Sequence, residues 1–232
     1  MFRSWKSTRW NLWMVYPLIL TMLKPTSTIL PWKTINCIKS NYLIAGVITD
    51  SYMKLMYSFA YFGDGNYRVT TEAKWLVMPF FRGKDAIGSC VQFLTVTPGS
   101  EEGYYTFDYT CTTQFETTHG SGKLDITDIQ TASDGNFYGA AGLYFLPNDS
   151  AVETVSVIYK NLFAHFSYRG HMNFPDTRTW FNANGTYIHT TVGLSIAPSL
   201  KIDGSGANAS IGLSVIAYPE KRTVPLELLY QP

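Results

Sequence analysis

The stretch CVQFLTVTPG, residues 90–99, decides the fold class because its side chains alternate in character up to Thr97 and then meet a Pro-Gly pair. Alternation with a period of two is typical of a half-buried β-strand, and Pro98-Gly99 is a strong turn signal. Two sets of side chains would then lie on opposite faces: Val91, Phe93, Thr95 and Thr97, and Gln92, Leu94 and Val96. We therefore expect one continuous strand over residues 90–97, with Phe93 buried between two sheets.

Other segments have the same character. Val152 to Tyr159 alternates in the same way, and three more runs rich in β-branched and aromatic residues follow near the C-terminus. These runs are Thr186 to Ala197, Ala209 to Tyr218 and Thr223 to Tyr230. The first two stop at Pro198 and Pro219, which cannot donate to a ladder. Short strands separated by turn residues predict an all-β sandwich or barrel.

Two regions depart from this pattern. Asp50 to Tyr61 has apolar residues at 52, 53, 55, 56 and 59 after an Asp-Ser pair that could cap a helix, so it predicts a short helix. Gly99 to Asn148 is weakly patterned and contains His119-Gly120-Ser121-Gly122, which predicts a long ordered connection. Long ordered loops on β scaffolds commonly carry contacts with partners.

Composition predicts one folded domain. The chain has 232 residues, of which 46% are hydrophobic, 16% aromatic and only 15% charged, and this excludes disorder, collagen and coiled coil. A formal charge of +1 excludes a protein that is basic throughout, yet the first 49 residues hold six basic and no acidic residue. The apolar run Asn11 to Leu23 has the outline of a secretory signal but is shorter than the roughly 20 residues of a membrane span.

No catalytic, cofactor-binding or metal-binding residue is predicted, and we interpret the chain as a non-enzyme without a cofactor. The histidines His119, His165, His171 and His189 lack metal-ligand spacing, and no nucleophile elbow, HExxH pair or P-loop occurs. The cysteines Cys37, Cys90 and Cys111 are too widely spaced for a zinc knuckle and odd in number. Buried thiols in a reducing compartment are the favoured interpretation.

Two further features leave alternatives open. The sequons at Asn148, Asn184 and Asn208 permit glycosylation, although Asn184-Gly185 is also a favoured hairpin turn. The stripe Tyr104, Tyr105, Phe107 and Tyr109 could stack on single-stranded nucleic acid or carbohydrate. Burial in a core or a subunit interface is the favoured interpretation, because strands and interfaces both select aromatic residues.

Taken in order, several segments resemble the jelly-roll capsid proteins of picorna-like viruses, particularly those of dicistroviruses and iflaviruses. The segments are LKPTSTILPW (23–32), YMKLMYSFAYFGDGNYRV (52–69), CVQFLTVTPGS (90–100), ETVSVIYKNLFAHFSY (153–168), VGLSIAP (192–198) and ASIGLSVIAYPEKRTVPLELLYQP (209–232). The chain departs from the family pattern at Gly63-Asp64-Gly65, where Arg-Gly is usual, at Ile158, where Pro is usual, and at Pro219-Glu220-Lys221, where an acidic pair and Phe are usual.

The resemblance implies an eight-stranded antiparallel jelly-roll sandwich made of two Greek keys, with one or two short helices. Residues 1–49 would form a basic N-terminal segment with the first strands, and residues 50–232 the remainder of a single capsid domain. The protein would assemble with copies of itself and related subunits into an icosahedral shell in the host cytoplasm. Its partner inside the virion would be packaged RNA, held by non-specific contacts with the basic segment.

A secreted all-β glycoprotein that acts as a binding module is the alternative, based on the N-terminal apolar run and the sequons. The capsid interpretation makes its own structural prediction. Gly99 to Asn148 carries eleven large aromatic or aliphatic side chains, more than one sandwich should hide beneath loops. We expect this stretch and the first 50 residues to make the main contacts between subunits.

Overall fold

The protein is all-β, as the sequence predicts. The structure is a computed structural model that describes residues 13–14, 42–173, 179–190, 199–203, 209–214 and 219–230. Within these ranges every regular element is a strand and all pairings are antiparallel. No helix in the described part of the chain is long and apolar enough to cross a membrane.

Nine strands form the first sheet. They are β1 (Trp13–Met14), β2 (Tyr42–Thr49), β3 (Met53–Gly63), β4 (Asn66–Trp75), β6 (Leu94–Val96), β7 (Glu102–Thr113), β8 (Thr117–Asp125), β11 (Ser150–Val152) and β12 (Val155–Met172). Their order is β1-β2-β3-β4-β12-β7-β8, and β6 and β11 pair with the two ends of β12. The strand β8 therefore lies at one edge of this sheet.

Five strands form the second sheet, and a two-stranded ribbon covers its outer face. The second sheet contains β5 (Lys84–Gln92), β9 (Asp128–Ser133), β10 (Phe137–Phe145), β13 (Thr179–Thr190) and β16 (Pro219–Tyr230), in the order β16-β13-β5-β10-β9. The ribbon pairs β14 (Leu200–Asp203) with β15 (Ser210–Leu213). Ile211 and the partly buried Ile202 pack there against Cys90 and Leu143 of the second sheet.

The two large sheets face each other across one apolar core. The first sheet contributes alternate residues of β3, β4 and β12, and the second contributes residues of β5, β13 and β16. Tyr57, Phe59 and Tyr168 are the largest side chains buried from the first sheet, and Tyr187 is the largest from the second. Full burial of a large apolar side chain stabilises by roughly 1.5–3 kcal/mol, so this core holds the sandwich together.

The decisive stretch is divided between the sheets, which corrects the expected continuous strand. Strand β5 ends at Gln92 in the second sheet, and β6 begins at Leu94 in the first. Phe93 lies between them with a φ of 60°, a left-handed conformation that turns the chain from one sheet to the other. Its side chain is only partly buried, where we expected full burial, and packs against the edge of the core.

The helix expected over Asp50 to Tyr61 is wrong, because this segment is the hairpin strand β3. Met53, Leu55, Tyr57 and Phe59 are all buried, which is the period of two of a strand. The Asp50 carboxylate accepts hydrogen bonds of 2.7 Å from the N–H groups of Tyr52 and Met53, and so closes a turn before the strand. The resemblance of this segment to the helix of the capsid family therefore does not extend to its structure.

The stretch from Gly99 to Asn148 is also not a loop, because it folds into β7, β8, β9 and β10. The glycines that obscured the pattern lie in β8 opposite aromatic residues of β7. A Cβ atom at Gly120 would lie 2.5 Å from the Tyr109 ring, and one at Gly122 would lie 2.6 Å from the Phe107 ring. The rings thus cover the glycines, a known way of stabilising glycine in a strand.

Other expected strands are found with different bounds. Val152 to Tyr159 is interrupted by a turn at Glu153, which has a φ of 47°, between β11 and β12. Thr223 to Tyr230 lies within β16, which begins at Pro219, the residue expected to end the preceding strand. The expected strands near Thr186 and Ala209 are described only in part, because residues 191–198 and 215–218 lie outside the described ranges. The features predicted within residues 1–12 and 15–41 also lie outside the described ranges.

The jelly-roll connectivity is not confirmed. Strands β4 and β5 are consecutive but lie in opposite sheets, and so do β12 and β13. Since β12 lies beside β4 and β13 beside β5, the two pairs interlock. The same neighbour relation joins strands B and C with strands E and F in immunoglobulin-type sandwiches.

Gly88 provides a test of how closely the strands of the second sheet pack. A Cβ atom there would lie 2.1 Å from the carbonyl oxygen of Ala140, a backbone contact that side-chain rotation cannot relieve. We expect Gly88→Ala to lower the free energy of unfolding by about 1–3 kcal/mol in denaturant titration. Thr112→Ala, at an exposed strand position, should change it by no more than about 0.5 kcal/mol. Equal effects of the two substitutions would contradict this packing.

Candidate functional site

The described histidines and cysteines do not converge. His119 lies on β8, His165 and His171 on β12, and His189 on β13. Within the described ranges, no three His, Cys, Asp or Glu side chains are placed to hold a metal ion. Cys90 is buried and Cys111 half-buried, while Cys37 lies outside the described ranges. Burial raises the pKa of the Cys90 thiol to about 12, so this thiol is not an activated nucleophile.

A buried polar network surrounds Asp85, on the central strand of the second sheet. Its carboxylate accepts a 2.6 Å hydrogen bond from the Tyr187 hydroxyl and a 3.1 Å bond from the Thr190 N–H. The Nδ1 atom of His189 lies 3.0 Å from both carboxylate oxygens. The Tyr187 hydroxyl lies 2.8 Å from that of Tyr144 and accepts a 3.0 Å bond from the Trp75 indole N–H. The network therefore connects β5, β10 and β13 to β4 of the first sheet.

The electrostatics of this network indicate a structural role. Burial raises the pKa of Asp85, and the hydrogen bonds from His189, Tyr187 and Thr190 offset only part of this effect. Burial also raises the pKa of Tyr187 and Tyr144 well above the ordinary range. The carboxylate has no exposed surface. An acid, a histidine and tyrosines do meet here, but they are shielded from any substrate in solution.

The outer face of the first sheet holds an open polar depression of about 520 Å³. Six polar or charged residues line much of it: Arg68, Glu102, Tyr104, Lys123, Asp125 and His165. The rings of Tyr104 and His165 stack with centroids 4.9 Å apart, and Lys123 Nζ lies 4.1 Å from the Tyr104 centroid. These contacts join β12, β7 and β8 in one row.

Several polar and charged side chains of this depression contact one another. His165 Nδ1 lies 3.1 Å from a Glu72 carboxylate oxygen, and Arg68 forms an ion pair with Glu102. Ser167 accepts a 2.9 Å bond from Arg68 and donates a 3.0 Å bond to Glu102. Among the described contacts, the Ser167 hydroxyl meets the Glu102 carboxylate, whereas His165 meets Glu72.

The aromatic stripe expected from the sequence is divided between the two faces of β7. Tyr104 lies on the outer face with His165, while Tyr105 and Phe107 lie on the core side. Tyr105 stacks on Tyr144 with centroids 4.8 Å apart, and Phe107 meets Tyr159 edge-on at 5.2 Å. Core packing therefore accounts for Tyr105 and Phe107, as the favoured interpretation expected. The other two rings of the stripe, Tyr104 and Tyr109, are half-buried.

The eleven large side chains between Gly99 and Asn148 differ widely in burial. The buried ones are Phe137, Leu143, Tyr144 and Leu146. The half-buried ones are Tyr104, Tyr105, Phe107, Tyr109 and Tyr138. Only Phe115 and Phe145 are exposed, at 86% and 65%. Four of the eleven therefore lie in the core, because the stretch forms strands whose inner faces line it, and the expectation that some of the others face a partner stays a prediction.

The structure places an exposed apolar surface at one end of the sandwich, which the sequence did not single out. We call it the apolar end, and it consists of Tyr52, Leu76, Val77, Phe80, Phe81 and Phe145. Phe80 is 92% exposed and packs edge-on against Phe81 at 5.1 Å. The N–H groups of Leu76 and Val77 donate to the Tyr52 carbonyl, which holds these residues at the same end.

Arg82 fixes the loop that carries the two phenylalanines. Its guanidinium makes two hydrogen bonds to the Asp149 carboxylate, at 2.6 and 2.8 Å. It also donates to the carbonyl oxygens of Pro79 and Pro147, at 3.2 and 2.9 Å. Bidentate pairs of this kind fix geometry as well as adding stability. The apolar end is therefore held in place in two ways. Arg82 binds the connection between β10 and β11, and Leu76 and Val77 form backbone hydrogen bonds with Tyr52.

The three sequons have different surroundings. Asn148 is exposed beside the apolar end. Asn184 is 1% exposed in the interior of β13, and its amide donates to the Ala209 carbonyl, so it cannot accept a glycan in the folded chain. Asn184-Gly185 is also not a turn, because both residues pair with β16 and β5. Asn208 lies outside the described ranges.

Comparison with known proteins adds no identification: no protein-family model matches this chain, and no curated protein matches it significantly.

Tyr187→Phe tests the buried network. The substitution removes one bond to Asp85 and leaves the Trp75 N–H without its acceptor. Because unpaired buried polar groups are costly, we expect the free energy of unfolding to fall by about 2 kcal/mol or more. Tyr159→Phe, which removes a half-buried hydroxyl, should change it by no more than about 0.5 kcal/mol. If Tyr187→Phe is as mild as this control, the network does not stabilise the sandwich.

A pH series tests the anchor of the apolar end. Partial burial raises the pKa of Asp149, but hydrogen bonds from Arg82 and the Tyr159 N–H outweigh it and hold the pKa below the ordinary 3.8. The stabilisation is therefore present above that value and is lost as the pH falls through the lower pKa of the folded protein. We expect Asp149→Asn to lower the Tm at about pH 7 and to have less effect at about pH 3. Asp64→Asn, in an exposed turn, is the control, and it should change the Tm at about pH 7 less than Asp149→Asn does.

Proposed function

We propose that this protein is a structural subunit that assembles with copies of itself and related chains into a shell. The observation that carries the proposal is the apolar end, where Phe80 and Phe81 are 92% and 59% exposed on a loop that Arg82 holds in place. Monomeric proteins rarely expose large contiguous apolar patches. Rigid aromatic side chains are also the usual anchors of subunit interfaces.

The rest of the fold supports a building block more than a reaction centre. The two sheets share one core, and a polar network reinforces it from within. In the polar depression on the outer face Arg68 is paired with Glu102, and the described residues form no metal cluster. A sandwich with one shared core suits repeated packing against identical neighbours.

The sequence resemblance makes the proposal more specific. The order of motifs implies the coat of a picorna-like virus, with RNA inside the shell. Six basic residues and no acidic residue in the first 49 positions suit a sequence-independent attraction to phosphate. The virion, its RNA and its host remain part of this proposal. The resemblance is weakest at residues 52–61, where β3 stands in place of the expected helix.

A secreted binding module is the second candidate, and one observation favours it: the sequon at Asn148 is exposed. The intact mass of the chain after expression in eukaryotic cells separates the candidates. Loss of an N-terminal segment together with added glycan would favour the secreted module, and an unmodified mass would favour the shell subunit.

The double substitution Phe80→Ser and Phe81→Ser tests the proposed assembly. Because both side chains are exposed, we expect the folded state to keep its stability while the assembled fraction at micromolar concentration falls at least about tenfold. Sedimentation velocity and electron microscopy of the full chain would measure this. Phe62→Ser is the matched control, since Phe62 is 55% exposed at the opposite end of β3. A wild-type chain that remains monomeric, or particles that tolerate the double substitution, would contradict the proposal.

A further inference from the structure

The strand β8 presents an unpaired edge. It is the last strand in the order of the first sheet, and within the described ranges no strand pairs with its other side. The Thr113 N–H donates to the Glu116 carbonyl at the hairpin turn, and the Ile126 N–H donates to the Gly103 carbonyl at the other end. Since hydrogen-bonded pairs alternate along an antiparallel ladder, the even-numbered residues of β8 bond to β7.

The odd-numbered residues therefore direct their backbone groups away from the sheet. These residues are Thr117, His119, Ser121, Lys123 and Asp125. All five are exposed, and the strand contains no proline that would interrupt a ladder. An exposed edge of this length is a template for another strand. Natural proteins commonly protect such edges with inward-pointing charges, but Lys123 instead lies over the Tyr104 ring on the sheet's own outer face.

We propose that β8 pairs with β8 of a second copy of this chain, antiparallel and centred on Ser121. In this register every outward-directed residue faces another one: Ser121 faces its own equivalent, His119 faces Lys123, and Thr117 faces Asp125. Such a ladder would contain about ten hydrogen bonds. One lysine and one aspartate make the strand formally neutral, apart from His119, so the two copies do not repel each other. A twofold axis makes the contact self-limiting, as in closed dimers.

The opposite face of the same edge supplies the apolar part of the contact. On this face Gly120 and Gly122 lie between Thr118 and Leu124, and Leu124 is 50% exposed. The rings of Tyr109 and Phe107 lie across the two glycines and remain half-buried. In the proposed register Gly120 faces Gly122 of the second copy, and Leu124 faces Thr118. The aromatic rows of the two copies would then continue across the axis without bulky side chains between them.

This inference specifies a first contact in the proposed assembly and rests on that proposal in taking self-association as the function. The apolar end and the β8 edge are separate surfaces, so their failures can be distinguished. Dimers without larger particles would overturn the shell but leave the edge contact standing. Particles that form equally well when the β8 edge is blocked would overturn the edge contact but leave the shell proposal standing.

Ser121→Pro blocks the edge in the full chain. Proline removes an N–H that points away from β7, and such a position tolerates it in an edge strand. We expect the dimer Kd from sedimentation equilibrium to rise at least about tenfold, while Ser121→Ala, which keeps the N–H, leaves it unchanged. A wild-type chain that is monomeric at micromolar concentration, or an unchanged Kd in a folded Ser121→Pro protein, would overturn the inference.

A cross-linking experiment keeps the inference testable if Ser121→Pro does not fold. Hydrogen-bonded antiparallel partners have Cα atoms about 5.5 Å apart, within the range of a disulfide. With Cys37 and Cys111 replaced by Ser, we expect Ser121→Cys to form a disulfide dimer under mild oxidation. Thr112→Cys, exposed on the flanked strand β7, should remain a monomer on a non-reducing gel. Equal cross-linking of the two variants, or none in either, would overturn the proposed register.

Discussion

The buried carboxylate of Asp85 is the group on which the register of the two sheets depends. It lies on the central strand of the second sheet, where an unpaired charge would cost several kcal/mol. Tyr187, His189 and the Thr190 N–H must therefore lie within hydrogen-bond distance, which ties β13 to β5. The Tyr187 hydroxyl extends the network to the Trp75 indole in the first sheet. A shift of either sheet by one residue would leave these groups unpaired and turn the core side chains outward.

Polar and apolar groups are unevenly distributed over the surface of the sandwich. The ribbon β14–β15 covers one outer face, and the other outer face carries polar contacts such as that of Glu72 with His165 and the ion pair of Arg68 with Glu102. Among the described residues, the apolar end exposes large apolar side chains, and the edge of β8 has no strand on its other side. Both can be covered by another protein chain. They are the two surfaces on which the proposed assembly rests.

Several elements could be predicted from the sequence, and the errors have identifiable causes. The strand character of residues 223–230 followed from β-branched and aromatic content. Residues 50–61 fit both a helical and a strand period, because Tyr52 and Met56 mimic a helical face while only the odd-numbered positions from Met53 to Phe59 are buried. In β8, Gly120 and Gly122 resemble loop residues in isolation. Their strand geometry depends on rings of β7 that the local sequence does not contain.

The sequence by itself determined that the chain folds as β-strands, since alternation and turn residues are local properties, and that its N-terminal segment is basic. Only the tertiary structure decided where each strand pairs. Residues 90–97 alternate without interruption, yet Phe93 takes a left-handed conformation and the chain passes from one sheet to the other. The period of two specifies which side chains share a face but not which sheet provides the partners. The apolar end and the β8 edge likewise exist because distant strands end, or stop pairing, at those positions.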